Sequence, residues 1–551
     1  MGVKRSFKAL AVAAAVAVAG DATAAPMIRI PGDPVTTRAG LIAGTRLPSG
    51  VKAYLGVPYA KPPTGNLRWR PPEPTNWQGI WNADRKGAEC IQVLRPHDIN
   101  HYFGEEASGE DCLTLNIWAP AGANRGDKRP VIVFIYGGGG TIGSAGMANY
   151  DGENVAKRGA VFVNLNYRVG LMGYMAHPEL SKEQGGHSGN YGYLDQNLAL
   201  KWIRDNIAAF GGDPAKVVIS GQSFGAGSVA AQVTSPLSKG LFRAAVMMSA
   251  CNLTGGGGSL ADAEAVGLEA QKRLGAADLA AMRNAPADKI LALQAESQVG
   301  VNNPGLRAPA VIDGYFWTGP KEKTLAAGQG SDVPVIASSN GDDIDSAQYA
   351  LTRARTVAEF QTTARQMYGA NADDFLALYP VSSDAQVRAV AHQAAMENGM
   401  LASSRRCGEV KGATGKTATY VDAFMRKHPY APGVKFPDQD PATVGAYHTA
   451  DVPYWFDTME HYNRFRVTRV PTAWDRQLTG QMLDSLIALG ETGSPSTKAM
   501  PWPAWTAAQP RYLSLGDKVT TEIMQTRRMD WLAAHPPAAA TRPAQRTGPI
   551  D

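Results

Sequence analysis

The stretch VVISGQSFGAGS, Val217 to Ser228, decides the fold. A β-branched run enters Gly221, Ser223 follows with a glycine two positions away on each side, and small helix-compatible residues come next. Gly221-Gln222-Ser223-Phe224-Gly225 fits G-x-S-x-G between a strand and a helix, the turn that presents a nucleophilic serine. So sharp a turn strains the serine backbone and would make side chains at the flanking positions collide, which glycine avoids. The serine oxygen then stands at the carboxyl end of a sheet, beside a helix N-terminus that favours developing negative charge. An ordinary glycine-rich turn can carry the same pentapeptide, so the reading needs independent support.

The flanking sequence supplies the sheet. PVIVFIY (Pro130–Tyr136), AVFVNLNY (Ala160–Tyr167) and FRAAVMMSA (Phe242–Ala250) are apolar strand-like runs. Between them, Leu200, Ile203, Ile207 and Phe210 recur at helical spacing and stop at Gly211 and Gly212. Continuous apolar strands alternating with helices predict a mostly parallel sheet covered on both faces. VPVIASSN (Val333–Asn340) and TATYVDAFM (Thr417–Met425) extend it. The alanine-rich stretches at 255–330 and 355–410 read as helical insertions around one domain spanning 25–534, and 535–551 as a frayed Pro/Ala-rich tail.

The N-terminus reads as an export signal. Lys4, Arg5 and Lys8 precede an apolar run from Ala9 to Gly20, and Ala22-Thr23-Ala24 offers a cleavage site after Ala24. The run is too short to span a bilayer, which takes about 20 apolar residues. Residues 1–24 are therefore expected to be removed, and the mature protein to be secreted or periplasmic without stable membrane insertion. Cleavage takes the formal net charge from +5 to +3, too weak and dispersed to predict a nucleic-acid partner. Cys90, Cys112, Cys251 and Cys407 make disulfides reasonable in such a compartment, with three pairings open.

A nucleophile at Ser223 requires an oxyanion hole, a base and an acid in a set chain order. IYGGGGTIGS places Gly137 to Gly140 after a strand and upstream of the serine, where backbone N–H groups can approach a carbonyl oxygen. Each such donor is worth about 3–4 kcal/mol in the transition state. Of nine histidines, His177, His428 and His535 precede prolines and read as loop residues, while His97 and His101 share one polar segment. The late His448 and His461 remain as bases. SSNGDDIDS ends a strand between serine and histidine, and offers Asp342, Asp343 and Asp345 as acids or as a solvated acidic turn.

At this point the chain resembles the type-B carboxylesterase and cholinesterase family. YLGVPYAKPPTGNLRWRPPEP (Tyr54–Pro74), EDCLTLNIWAP (Glu110–Pro120) and GNYGYLDQNLALKWIRDNIAAFGGDP (Gly189–Pro214) carry the resemblance over nearly the whole mature chain. It implies the α/β-hydrolase fold, a large mixed, mostly parallel sheet with helices on both faces and helical insertions. By position it implies Ser223 as nucleophile, Asp343 as acid, His448 as base, and Gly138, Gly139 and the Phe224 N–H as oxyanion donors. It also implies a Cys90–Cys112 disulfide, leaving Cys251 and Cys407 as either a bridge or buried thiols.

Several positions depart from the family pattern. Phe224 is bulky where a small residue is usual, and Asp343 stands where glutamate is. Tyr136 replaces a common histidine and Gly140 a common aromatic, which predicts a wider pocket mouth that admits bulky or branched alcohols. Tyr102 falls near the choline-binding tryptophan of cholinesterases, so a choline ester is not the expected substrate. The expected activity is hydrolysis of small soluble carboxylic esters, with no cofactor: the chain has no H-E-x-x-H and no zinc-like cysteine spacing. A lipase on long acyl chains is the nearest rival, disfavoured by the polar segment IQVLRPHDINHYFGEEASGED. A non-catalytic binding member of the family is a remoter one, since all three triad positions are occupied.

Overall fold

The computed structural model describes residues 28–93, 107–255, 257–295, 305–436 and 439–538. The expected export segment 1–24, and with it His97, His101 and Tyr102, lies outside them, as does the tail beyond Ala538.

Eleven strands form one sheet. In chain order they are β1 (Thr45–Arg46), β2 (Lys52–Pro58), β3 (Thr114–Ala119), β4 (Arg129–Ile135), β5 (Val161–Leu165) and β6 (Gly212–Gln222). β7 (Ala244–Met248), β8 (Val335–Asn340), β9 (Thr419–Phe424), β10 (Arg511–Leu515) and β11 (Val519–Ile523) complete it. Across the sheet the order is β11-β10-β9-β8-β7-β6-β4-β5-β3-β2-β1. β5, β4 and β6 to β10 run parallel, while β1, β2, β3 and β11 close the two edges antiparallel.

The central strands β5, β7, β8 and β9 are buried at every residue. Burial throughout fits their apolar content, because helices cover both faces of a parallel sheet. The periodic stretch forms helix α1 (Tyr191–Asn206) and a 3₁₀ turn through Phe210, with Leu200, Ile203, Ile207 and Phe210 all buried. Gly211 ends it at φ 88°, and Gly212 already belongs to β6. β6 leads straight through Ser223 into helix α2 (Phe224–Thr234).

The insertions are helical, as the alanine-rich composition predicts. Two of their helices bear on the site, α3 (Asp384–Asn398) and α4 (Met400–Thr414). Cys90 pairs with Cys112, and Cys251 with Cys407. The second bridge ties the chain just beyond β7 to α4, which resolves the open pairing. The antiparallel edges give the sheet the mixed character that the resemblance implies. The outermost of them, two-residue β1 and largely exposed β11, lack the continuous apolar signature of the centre.

Candidate active site

Ser223 adopts φ 59°, ψ −124°, a region L-residues seldom occupy. Two glycines make the turn sterically possible. A Cβ at Gly221 would lie 2.3 Å from the Gly225 carbonyl oxygen, and one at Gly225 would lie 2.1 Å from that of Ile135. The Ser223 N–H donates to the Met248 carbonyl at 2.8 Å, pinning the turn to β7. The serine occupies the N-cap position of α2, yet its side chain makes no capping bond.

The glycine loop follows β4 and lies directly against this turn. A Cβ on Gly137 would stand 2.9 Å from that of Ser223. Gly138, Gly139 and Gly140 all have positive φ, at 105°, 64° and 72°. The Gly138 carbonyl accepts from the Thr141 and Ile142 amides at 3.2 and 3.3 Å, which curls the loop back on itself. Tyr136, at the start of the loop, is buried and stacked on Tyr167, and each hydroxyl donates to the other residue's carbonyl. The tyrosine that replaces a common histidine is thus a brace for the loop.

Gly140, from which a wider mouth is expected, faces the Phe224 ring. A Cβ on Gly140 would meet the Phe224 ring at 2.7 Å, so the space a larger residue would have filled is taken by the ring. The two departures from the family pattern compensate each other in space.

His448 and Asp343 come together at the carboxyl ends of the strands. His448 Nδ1 lies 2.5 Å from Asp343 Oδ1, which also accepts the Ile344 amide at 2.7 Å. Asp343 Oδ2 accepts the Ser249 hydroxyl at 2.6 Å. Burial alone would raise the Asp343 pKa, but the imidazole, the hydroxyl and the amide outweigh it and hold the group below the usual carboxylate range. The Gln222 side-chain nitrogen lies 3.2 Å from His448 Nε2 and 3.4 Å from Nδ1, setting the imidazole against the serine turn.

Behind Asp343 runs a polar chain that sequence reasoning did not find. Asn340 donates to the Ser249 hydroxyl at 2.8 Å and to Asp451 Oδ1 at 3.1 Å, and the Trp455 indole donates to Asp451 Oδ2 at 3.2 Å. Burial raises the Asp451 pKa to about 6, with Asn340 pulling the other way and the Asp343 charge adding to the rise. The one available signal for Asp451 was its place three residues after His448.

The remaining candidates separate clearly. Asp342 turns away from His448: its Oδ1 lies 3.1 Å from His392 on α3, and its Oδ2 accepts the Gly445 amide at 2.8 Å. Asp345 falls in the short helix Ile344–Gln348. His461 sits in a turn beside Lys86, Asp151 and Arg464, not with Asp343. Two histidines assigned to loops have structural duties. His177 caps a helix by accepting the Glu179 amide. His428 is buried beneath the His448 loop, with Nε2 2.8 Å from the Ala450 carbonyl. Burial, helped by Arg469, pulls its pKa down to about 3, so it stays neutral. Among the described residues no group of three or more His, Cys, Asp or Glu could hold a metal ion, and no helix is long and apolar enough to cross a membrane.

A serine on a strained strand–helix turn, a glycine loop against it and an Asp–His pair at the same sheet edge are the parts of an α/β-hydrolase that cleaves esters. The chain belongs to the carboxylesterase family, whose model matches residues 32–532. It is 38% identical over 379 residues to the fumonisin B1 esterase of Sphingopyxis macrogoltabida, covering 67% of each chain. It is 29% identical over 500 residues to the para-nitrobenzyl esterase of Bacillus subtilis, covering 89% of this chain and 96% of that one. A solved PNB esterase superposes with a TM-score of 0.72 at 26% identity, over 90% of this chain and 99% of the other.

Proposed function

We propose that this protein is an exported serine carboxylesterase that cleaves small-molecule esters through an acyl-enzyme on Ser223. The observation that carries the reading is the 2.5 Å contact between His448 Nδ1 and Asp343, set beside a serine held at φ 59°. With Nδ1–H donated to Asp343, Nε2 of His448, which the Gln222 side-chain nitrogen approaches at 3.2 Å, is the nitrogen left to accept the Ser223 proton as Oγ bonds to the ester carbonyl carbon. Asp343, kept ionised, fixes that tautomer and stabilises the imidazolium. The Gly138, Gly139 and Phe224 N–H groups receive the oxyanion. The tetrahedral intermediate collapses by breaking the bond to the alcohol oxygen, which leaves with the proton from His448. Water, deprotonated by His448, then attacks the acyl-enzyme and releases the acid and free Ser223.

Export rests on the signal-like residues 1–24 and agrees with two disulfides, which persist in oxidising compartments. The names of the relatives, a para-nitrobenzyl esterase and a fumonisin B1 esterase, support ester hydrolysis and leave the particular ester open. The test is hydrolysis of p-nitrophenyl esters from acetyl to palmitoyl, and of p-nitrobenzyl acetate, with Ser223→Ala alongside. Turnover of short chains by the wild type and none by the variant is expected. Turnover confined to long acyl chains would favour a lipase, and no turnover at all would favour the binding-module reading.

A further inference from the structure

The Phe224 ring stands at an unusual place, between the glycine loop and an aromatic cluster. Its N–H is the oxyanion donor in the reading above, on which this inference rests, so its ring begins one bond away from a group that touches the reacting carbonyl. The ring reaches across to the glycine loop, with Cε2 and Cζ 2.7 Å from where a Cβ on Gly140 would stand. Neither side has room to give. The Gly140 carbonyl is held by the Gly170 amide at 2.6 Å, and Gly170 is itself backed by the Gln294 side chain, 2.1 Å from where its Cβ would be. Behind the phenyl ring, Tyr193 lies parallel at 6.0 Å and Tyr174 edge-on at 5.7 Å. Tyr193 is in turn backed by Phe316 and Trp317, at 5.5 and 5.4 Å between ring centres. The ring packs against both the main core and this aromatic cluster, yet remains partly exposed.

We propose that Phe224, seated on Gly140, is a size filter that excludes esters branched next to the carboxyl group, whether by a tertiary alcohol or by a quaternary acyl carbon. A glycine loop with an empty third position would have room for such groups, and here the phenyl ring stands in that room. Unbranched esters pass along the ring's exposed edge. The same contact explains why position 140 is glycine: any side chain there would have to displace a ring that is braced from behind.

The test compares wild type, Phe224→Ala, Gly140→Ala and the double variant on p-nitrophenyl acetate against p-nitrophenyl pivalate, and on ethyl acetate against tert-butyl acetate. Phe224→Ala is expected to raise the branched-to-unbranched ratio of kcat/KM by at least about tenfold in one or both pairs. Gly140→Ala is expected to lose at least about tenfold on acetate and to lower the melting temperature, with most of both losses recovered in the double variant. Gly139→Ala, at a similar φ but with no ring nearby, controls for backbone strain and is not rescued by Phe224→Ala. Ratios within about twofold of wild type in both pairs, or no recovery in the double variant, overturn the filter while leaving the esterase intact. A wild type inert on both unbranched esters removes the esterase reading and the filter with it.

Discussion

Ser249 donates its hydroxyl to Asp343 Oδ2 at 2.6 Å, on the carboxylate oxygen that His448 does not use. The acid is thereby held on both oxygens, and its plane is set by two groups from different parts of the chain. An acid so fixed presents one oxygen to the imidazole and cannot swing away from it.

Removing the charge while keeping the shape should therefore be costly. Asp343→Asn is expected to lower kcat by roughly three to four orders of magnitude, because the amide favours the wrong histidine tautomer. Ser249→Ala should cost much less, about 1–2 kcal/mol or some tenfold in kcat, with KM little changed. Steady-state kinetics on p-nitrophenyl acetate checks both. Equal losses in the two variants would contradict the division of labour between them.

Asp451 gives stability a definite pH dependence. Its folded pKa is raised to about 6, against roughly 3.9 in the unfolded chain. Ionising it in the fold is therefore penalised: the cost is absent below the unfolded value and complete above the folded one. Between about pH 4 and pH 6.5 this single group should remove up to about 3 kcal/mol of stability as pH rises. Melting temperatures of wild type and Asp451→Asn, followed over that window, should show a flatter profile for the variant. Parallel profiles would count against the buried acid.

Asp342 ties the histidine loop to the sheet without touching the histidine. Its N–H donates to the Ala446 carbonyl at 2.8 Å, and its carboxylate accepts the Gly445 amide. Burial raises its pKa, but His392, that amide and Arg388 together bring it below the ordinary value. Its contribution to stability is thus present above the unfolded pKa and lost as pH falls through the folded one. Asp342→Ala is expected to reduce kcat about tenfold to a hundredfold through a looser His448, and to shift acid unfolding to higher pH. An unchanged kcat with lowered stability would make Asp342 purely structural.

The two disulfides should differ in weight. Residues 251 and 407 are 156 apart in sequence, and residues 90 and 112 are 22 apart. By loop entropy the first bridge is worth about 5 kcal/mol and the second about 3. Urea unfolding of the two paired Cys→Ser variants should show the larger loss for Cys251/Cys407. The reverse order would show that this bridge acts mainly through the folded state.

Much of this was legible in the residues, for reasons that can be named. G-x-S-x-G is a local rule, so Ser223 needed no fold to be found. His448 and Asp343 followed from the order of parts and from family resemblance, which also separated Asp343 from Asp342. Nothing local marks Ser249 or Asn340, and only nearness to His448 marks Asp451, because each acts through a contact between segments remote in sequence. Gly140 and Phe224 are 84 positions apart. Read separately, one suggests an open mouth and the other a crowded one, and only the fold brings the two into contact.

The most direct test of the central claim is pre-steady-state mixing with p-nitrophenyl acetate. A burst of one equivalent of p-nitrophenolate per active enzyme is expected, absent in Ser223→Ala, with the acetyl group recovered by mass spectrometry on the peptide containing Ser223. Hydrolysis that persists in Ser223→Ala, or an acetyl group found on another residue, would contradict it.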